Sequence, residues 1–298
     1  MRIRVAQPDD APGVVALRTL VYPYLVRGVE STRKMLAEPP PEEGWTAFVA
    51  EVDAQVVGWV SAQRAGWTST PDFGELNLLH VHPEHRRRGV GTALLTAATD
   101  HLRPLGIRRV RAMVLPDGLP FARRHGYEPS REVRYSALDL NTTPALPEPP
   151  PGVRLLPIAD LDPRLLYEAD VAAAADEPGD VPVDAISYES WQYDVWNSLG
   201  LDKASSTVVE VDGEIAAFSL VKRDGDRMWS DFTGTVPAYR GRGLARLAKT
   251  AALHRAAADG VRTAYTSNDE ANGPMLAINT RLGYRPVASQ WTCLTDLT

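Results

Sequence analysis

Cysteine is nearly absent: a single residue, Cys293, occurs in 298. One thiol can build neither an intramolecular disulfide framework nor a cysteine-rich zinc site, which fits a reducing compartment and a cytoplasmic setting. Long apolar runs are missing as well, and no stretch approaches the roughly 20 residues of a membrane-crossing helix. The start, Met1-Arg2-Ile3-Arg4-Val5-Ala6-Gln7-Pro8-Asp9-Asp10, turns acidic early and does not read as a signal peptide. Positive charge is not in excess either, since 32 Lys and Arg face 38 Asp and Glu for a formal net charge of -6. A nucleic-acid binder normally carries a broad basic face, so neither nucleic acid nor membrane is expected as a partner. The arginines instead fall in local clusters, which suits a small anion.

With 44% hydrophobic and 23% charged residues, the chain can bury ordinary cores in one large domain or two moderate ones. Proline helps to choose. Residues 141–152, Asn-Thr-Thr-Pro-Ala-Leu-Pro-Glu-Pro-Pro-Pro-Gly, lack the donors for helix or central strand and favour polyproline II. A domain boundary is therefore placed there, giving an N-terminal domain of 1–140, a linker of 141–152 and a C-terminal domain of 153–298.

The pattern of the first domain restarts in the second. A short strand and a capped helix open each, at 3–6 and from Pro12 in the first half and at 153–156 and 161–175 in the second. β-rich runs at 46–52 and 56–63 flank Asp53-Ala54-Gln55, and runs at 207–211 and 214–221 flank Asp212-Gly213, so both halves predict a hairpin. Further strands are expected at 75–81, 110–115 and 133–140, and a short helix at 120–124 ends at Gly126.

The most informative stretches are two basic glycine turns, Arg86-Arg87-Arg88-Gly89-Val90-Gly91 and Arg240-Gly241-Arg242-Gly243-Leu244-Ala245. Each follows a strand pattern and opens a helical one. Gly89 and Gly243 lie 154 positions apart, and the Gly-Tyr pairs at Gly126 and Gly283 lie 157 apart, so one unit is used twice. A strand feeding a glycine turn and then a helix makes an anion site, because the backbone can approach closely and free helix N–H groups point at the ligand. A solvated tight turn is the ordinary alternative. Neither turn supplies the Gly-Lys-Ser/Thr ending of a P-loop. A dinucleotide fold fits poorly, since Gly89-Val90-Gly91 lacks the third glycine and the elements do not repeat as parallel βαβ units.

These turns resemble the Gln/Arg-x-x-Gly-x-Gly/Ala signature of the GNAT acetyltransferases, and the resemblance covers essentially the whole chain outside the linker. In the second half it extends through Asn268, Asn272, Met275, Asn279 and Leu282-Gly283-Tyr284. It implies an α/β fold with two tandem domains, each a mostly antiparallel mixed sheet. It further implies acetyl-coenzyme A as co-substrate, no metal, a small-molecule amine as acceptor, and a monomer or homodimer. The cofactor would meet Val81, Arg86, Arg87, Arg88, Gly89, Val90, Gly91 and Thr92 in the first half. In the second it would meet Thr235, Val236, Arg240, Gly241, Arg242, Gly243, Leu244, Ala245, Asn272 and Asn279. The pantetheine would lie between strands four and five, here 75–81 with 110–115 and 229–235 with 262–266.

Family members often carry a Tyr as general acid four residues before the closing glycine, whereas this chain has Ala122 and Asn279 there. Coenzyme A thiolate, with a pKa of roughly 8.5, leaves acceptably without a dedicated acid. An alkylammonium of pKa about 10.4 needs a base, and Glu75 and Asp231 on the fourth strands are the candidates, each with an ordinary reading as a solvated strand residue. Asp176-Glu177-Pro178-Gly179-Asp180 is an acidic loop where the family builds its acceptor site, and Tyr188, Trp191 and Trp196 share part of a helix face, with core packing their default. His80, His82 and His85 do not complete a metal site, because Pro83 breaks the spacing. The C-terminal half, with the fuller cofactor segment, is the expected catalyst; in the first half Leu115-Pro116-Asp117-Gly118 replaces that segment. Two other readings stay open: similarity to mycothiol synthase, another tandem member that acetylates a cysteinyl amine, and a non-catalytic acyl-coenzyme A sensor.

Overall fold

A computed structural model describes residues 1–297. It divides into two compact units, Met1–Val133 with the residues from Ser289 onward, and Arg134–Ala288.

In the first unit β1 (Arg2–Val5), β2 (Thr46–Val52), β3 (Gln55–Arg64), β4 (Phe73–Val81) and β5 (Arg109–Val114) lie side by side in that order. All neighbours are antiparallel except β4 and β5, which run parallel. Helices α1 (Ala11–Val21) and α2 (Val29–Ala37) cover one face through Val14, Leu17 and Trp59. The other carries α3 (Val90–Leu102) and α4 (Leu119–Arg124), packed through Leu94, Ala98, Leu102 and Ala122.

The second unit repeats this plan. Its sheet runs β6 (Glu128–Asp139), β11 (Thr263–Asp269), β10 (Arg227–Thr235), β9 (Glu214–Asp224), β8 (Thr207–Val211) and β7 (Val153–Pro157). Helices α5 (Pro163–Ala174) and α6 (Tyr188–Trp191) cover one face, and α7 (Leu244–Ala258) and α8 (Gly273–Leu282) the other. Both expected hairpins form, and each turn places two successive residues at positive φ, Asp53 (49°) and Ala54 (62°), Asp212 (52°) and Gly213 (89°). That backbone matches the right-handed twist of the flanking strands, which is why short polar pairs work there.

The boundaries differ from the sequence expectation of 1–140 and 153–298. The part of β6 from Arg134 onward belongs to the second unit, where the strand lies beside β11, although it precedes the proline segment. Conversely β12 (Arg285–Asp296), unrecognised in the sequence, pairs antiparallel with β5 of the first unit, from Trp291↔Val114 to Asp296↔Arg109. Cys293 thereby enters the core of the first unit. The proline segment lies inside the second unit, where Pro144 O accepts from His254 Nε2 at 2.8 Å. Proline marks where ladder hydrogen bonds stop, but a unit's limits are set by which strands pair, and that pairing is non-local.

Each unit's fourth strand carries a bulge. The β3–β4 register slips between Trp59 and Ser61, with Leu78 at φ 58°, and the β9–β10 register slips between Ser230 and Thr233. Parallel pairing ends at Leu76↔Ala112 in one unit and Trp229↔Tyr265 in the other, while β4 and β10 run on to Val81 and Thr235. A bulge bends the strand and increases its twist, so the two parallel strands part beyond these points.

One buried group strains the second unit's core. Lys249 on α7 is 2% exposed, lies 5.0 Å over the Tyr284 ring, and burial pushes its ammonium down to about 7. Its unfolded-state value is about 10.4, so between these limits the unfolded chain holds a proton that the folded one lacks. Its contribution to stability is therefore fully present above about pH 10.4 and is lost as pH falls through 7. Lys249→Met is expected to raise the melting temperature strongly at pH 6 and progressively less towards pH 10, measured by circular dichroism.

Candidate functional site

The second basic turn is built by glycine. After β10, a single 3-10 turn at Pro237–Tyr239 leads to Gly241 at φ 77° and Gly243 at φ 78°, with Gly243 immediately before α7. Both glycines occupy the left-handed region that costs other residues roughly 1–2 kcal/mol, and neither would bring a Cβ within 4 Å of anything. The turn is thus an open backbone concavity ending on the free N–H groups of a 15-residue helix. Arg240 Nε donates to Thr235 O at 3.3 Å and its guanidinium pairs with Asp176, while Arg242 turns away, 5.6 Å from the Tyr239 ring.

A cavity of about 780 Å³ opens on this turn. Its walls are the end of α5 with Asp176, Glu177 and Pro178, the free stretch of β10 from Phe232 to Thr235, the turn and first residues of α7, and Asn272, Met275 and Ile278 of α8. The cavity therefore runs along the part of β10 that has parted from β11. Ala173 of α5 closes the opposite side so tightly that a Cβ on Gly234 would sit 2.7 Å from its own.

Most of the turn expected to bind cofactor stands together here: Thr235, Arg240, Gly241, Gly243, Leu244, Ala245 and Asn272 all line the cavity. Asn272 also caps α8, its Oδ1 accepting from Met275 N at 3.2 Å. Arg242, Val236 and Asn279 are outside the wall. The Val236 N–H is spent on Ala216 O at 3.0 Å. Asn279 is buried behind α8, where its Nδ2 donates to Asn268 Oδ1 at 2.6 Å and its own Oδ1 has no partner. The acidic loop expected at the acceptor site reaches the cofactor turn instead, through Asp176.

Sequence reasoning missed Arg246 and Arg281, which also line the cavity. For Arg246 a signal was present: a cation in the first turn of a helix opposes the dipole, and such a placement points to an anion nearby. Arg281 lies in the last turn of α8, where a cation is favourable anyway, so nothing marked it.

The two candidate bases fare differently. Glu75 is buried in the part of β4 that still pairs with β5, directly opposite Arg111, and its carboxylate is bound by that guanidinium, which also lies 4.5 Å over Trp67. It sits below the opening and is a structural ion pair, not a group at the strand end. Asp231 occupies the β10 bulge itself, partly exposed, with Lys222 Nζ at 2.9 Å. Beneath it on α5, Asp170 is buried and accepts from Trp191 Nε1 at 2.6 Å. Burial, reinforced by the charges of Asp231 and Glu177, pushes the Asp170 carboxyl up to about 7.

The first unit carries the same turn in poorer form. Arg86 Nε donates to Val81 O at 3.2 Å, its guanidinium pairs with Asp117 at 3.0 Å, and Gly89 at φ 83° precedes α3. Arg87, at φ 60°, takes the left-handed position that glycine holds in the second unit. Arg88, Val90, Gly91 and Thr92 follow in the turn and first helical residues, and a Cβ on Gly91 would meet Phe121 at 3.4 Å. His80, cross-strand from Trp59, is buried and held down to about 3 by burial together with Arg18 and Arg86. At the matching register of the second unit Gly234 pairs with Phe218, and next to them the hydroxyls of Thr233 and Ser219 bond at 2.9 Å.

Residues 16–127 match the Acetyltransferase (GNAT) family and residues 188–266 match an Acetyltransferase (GNAT) domain. The chain is a tandem GNAT-family N-acetyltransferase. Among its relatives, the mycothiol acetyltransferase of Nocardiopsis dassonvillei is 27% identical over 78% of this chain and 76% of its own. That of Nocardioides sp. is 28% identical over 83% and 88%. In fold it resembles a tandem GNAT protein from the clavulanic acid biosynthesis pathway, with a TM-score of 0.76, 20% identity, and 99% and 98% of the two chains covered. A GCN5-related N-acetyltransferase from Sphaerobacter thermophilus gives a TM-score of 0.74 at 20% identity, covering 99% and 95%. Both tandem GNAT domains of this chain thus have a basic glycine turn, and in the second it opens on a cavity.

The Asp176–Arg240 pair is exposed, and such pairs are worth about 0–1 kcal/mol. Asp176→Asn frees the guanidinium for an anion and is expected to tighten coenzyme A binding about two- to fivefold by isothermal titration calorimetry.

Proposed function

We propose that this GNAT protein transfers the acetyl group of acetyl-coenzyme A directly to the primary amine of a small molecule, with the chemistry in the second unit. The observation that carries this reading is one cavity that joins the left-handed glycine turn, the free edge of β10 and the acidic end of α5. The residues present fit the co-substrate. Two glycines without Cβ neighbours, the N–H groups opening α7, and Arg240 with Arg246 would hold a pyrophosphate. Phe232 to Thr235 offer a strand edge, and Met275 and Ile278 an apolar wall, to the chain between phosphate and thioester. When bound, acetyl-coenzyme A supplies an activated acyl group whose thiolate is an acceptable leaving group.

Direct transfer is supported by what the wall lacks. Among the described residues no serine or cysteine lines the cavity, and the only cysteine is buried in the first unit. The protein's own tasks are then to orient the amine, exclude water and receive a proton. Asp176 and Glu177 put negative charge in the cavity wall itself, and Asp231, in the bulge and next to the cavity-lining Phe232, is the strand carboxylate beside it, so together they would draw an ammonium towards the strand edge.

The relatives named mycothiol acetyltransferases favour a second reading, in which the amine belongs to a mycothiol-related acceptor. Asn279, at the position where many family members carry a tyrosine acid, counts against it.

Thiol release on mixing acetyl-coenzyme A with a panel of small amines tests the proposal; binding of coenzyme A without turnover across a broad panel would favour a sensor. Arg240→Glu with Arg246→Glu removes two charge-assisted phosphate contacts of about 1.5–3 kcal/mol each, so coenzyme A affinity is expected to fall by about 100-fold or more. Arg86→Glu with Arg88→Glu is expected to leave it within about threefold, on the same scale of energies. The opposite ranking would assign the dominant site to the first unit.

A further inference from the structure

Arg281 has no role in the reading above, although it stands in the cavity wall. The charges of that wall are unevenly paired. Arg240 is engaged by Asp176, whereas among the described residues no carboxylate pairs with Arg246 or Arg281, and neither guanidinium donates a hydrogen bond. Two unpaired like charges in one concave wall raise its positive potential, and an anion relieves their repulsion. Arg246 stands in the first turn of α7, where the helix dipole opposes it. Arg281 stands in the last turn of α8, where the dipole favours a cation. That accounts for its charge but not for its place on the cavity side.

Position separates the two arginines. β11 ends at Asp269 and α8 starts behind its cap Asn272, so the beginning of α8 lies at the strand end of the cavity. Pro274, Ile278 and Arg281 all line the cavity, and their spacing puts them on one stripe of the helix. At a rise of 1.5 Å per residue, Arg281 stands about 13 Å along α8 from Asn272. Arg246, by contrast, belongs to the turn that the two glycines open. The wall therefore offers cations at two places, the glycine turn and the far end of the α8 stripe. Coenzyme A is also charged at two places. Its pyrophosphate joins pantetheine to ribose, and the ribose carries a separate 3′-phosphate, a monoester of about −1.5 to −2 charge at pH 7.

Resting on the acetyl-coenzyme A reading above, we propose that Arg281 binds the ribose 3′-phosphate and makes the second unit selective for donors that carry it. With pantetheine along the free edge of β10 and pyrophosphate on the glycine turn, the 3′-phosphate is the charged group left for the other end of the cavity. A guanidinium presents a planar fork of N–H donors to phosphate oxygens. A thioester on dephospho-coenzyme A, or on a protein-borne phosphopantetheine, lacks this phosphate and forgoes the contact. Arg281 thus selects the donor and touches none of the reacting atoms.

Dephospho-coenzyme A differs from coenzyme A by that phosphate alone, so the pair isolates the contact. By isothermal titration calorimetry, the protein is expected to bind coenzyme A about tenfold or more tightly than dephospho-coenzyme A, the scale of one charge-assisted contact. Arg281→Gln is expected to bring coenzyme A down to the level of dephospho-coenzyme A, whose own affinity stays within about twofold. Arg246→Gln, at the pyrophosphate, is expected to weaken both ligands by a similar factor and to keep their ratio. Circular dichroism melts of the unliganded variants separate a loss at the site from a loss of fold. Should Arg281→Gln melt below the wild type, Arg281→Lys, which keeps the charge at the helix end without the fork, gives the same reading through a reduced ratio.

Equal affinity of the wild type for the two ligands, a ratio that survives Arg281→Gln, or a loss shared equally by both ligands overturns the assignment of Arg281. Each of these leaves the coenzyme reading standing. Binding of neither ligand overturns that reading and the proposal with it.

Discussion

The parting of β10 from β11 beyond Trp229 and Tyr265 is the constraint on which the rest of the second unit depends. Parallel strands satisfy each other's backbone groups only while they stay side by side. The bulge at Asp231 and Phe232 turns β10 out of register, and the edge it frees becomes a cavity wall. The same bend places Thr235 to receive Arg240 and leads the chain into a turn whose two left-handed glycines aim α7 at that wall. Glycine turn, strand edge and acidic helix end come together because one strand leaves its neighbour.

Duplication explains why the first unit shows the same devices. Its bulge, its parted parallel pair and its basic turn recur at nearly constant offset. What differs is local chemistry. Arg87 holds a left-handed position that the second unit gives to Gly241, and Asp117 binds Arg86. The buried pair Trp59 and His80 stands where the second unit has Phe218 and Gly234. A fold can be retained by its core while the groups that would handle a ligand drift, since core packing and site chemistry use different residues.

Several features were legible from residues alone because their physics is local. The hairpin at Asp212 follows from residue types that tolerate positive φ, the one at Asp53 from β-rich runs on both sides of a polar break, and the basic turns from glycine spacing ahead of an apolar helix pattern. At Asn272 a helix cap and a place in the cavity wall are one position. Less was legible where partners come from distant sequence. Glu75 and Asp231 look alike in a strand pattern, yet one is locked to Arg111 below the opening and the other stands in the bulge. The terminal strand Arg285–Asp296 is polar over much of its length and finds its partner some 180 residues earlier, in β5.

The sequence by itself determined the repeated α/β plan, the two basic glycine turns and the family, since each is written in short-range pattern: glycine where φ must be positive, arginine beside it, hydrophobic period around it. Only the tertiary structure decided which strands complete each unit, what lines the cavity at the second turn, and which carboxylate is dry. Those are properties of pairing and burial, and both arise when residues far apart in the chain exclude water together.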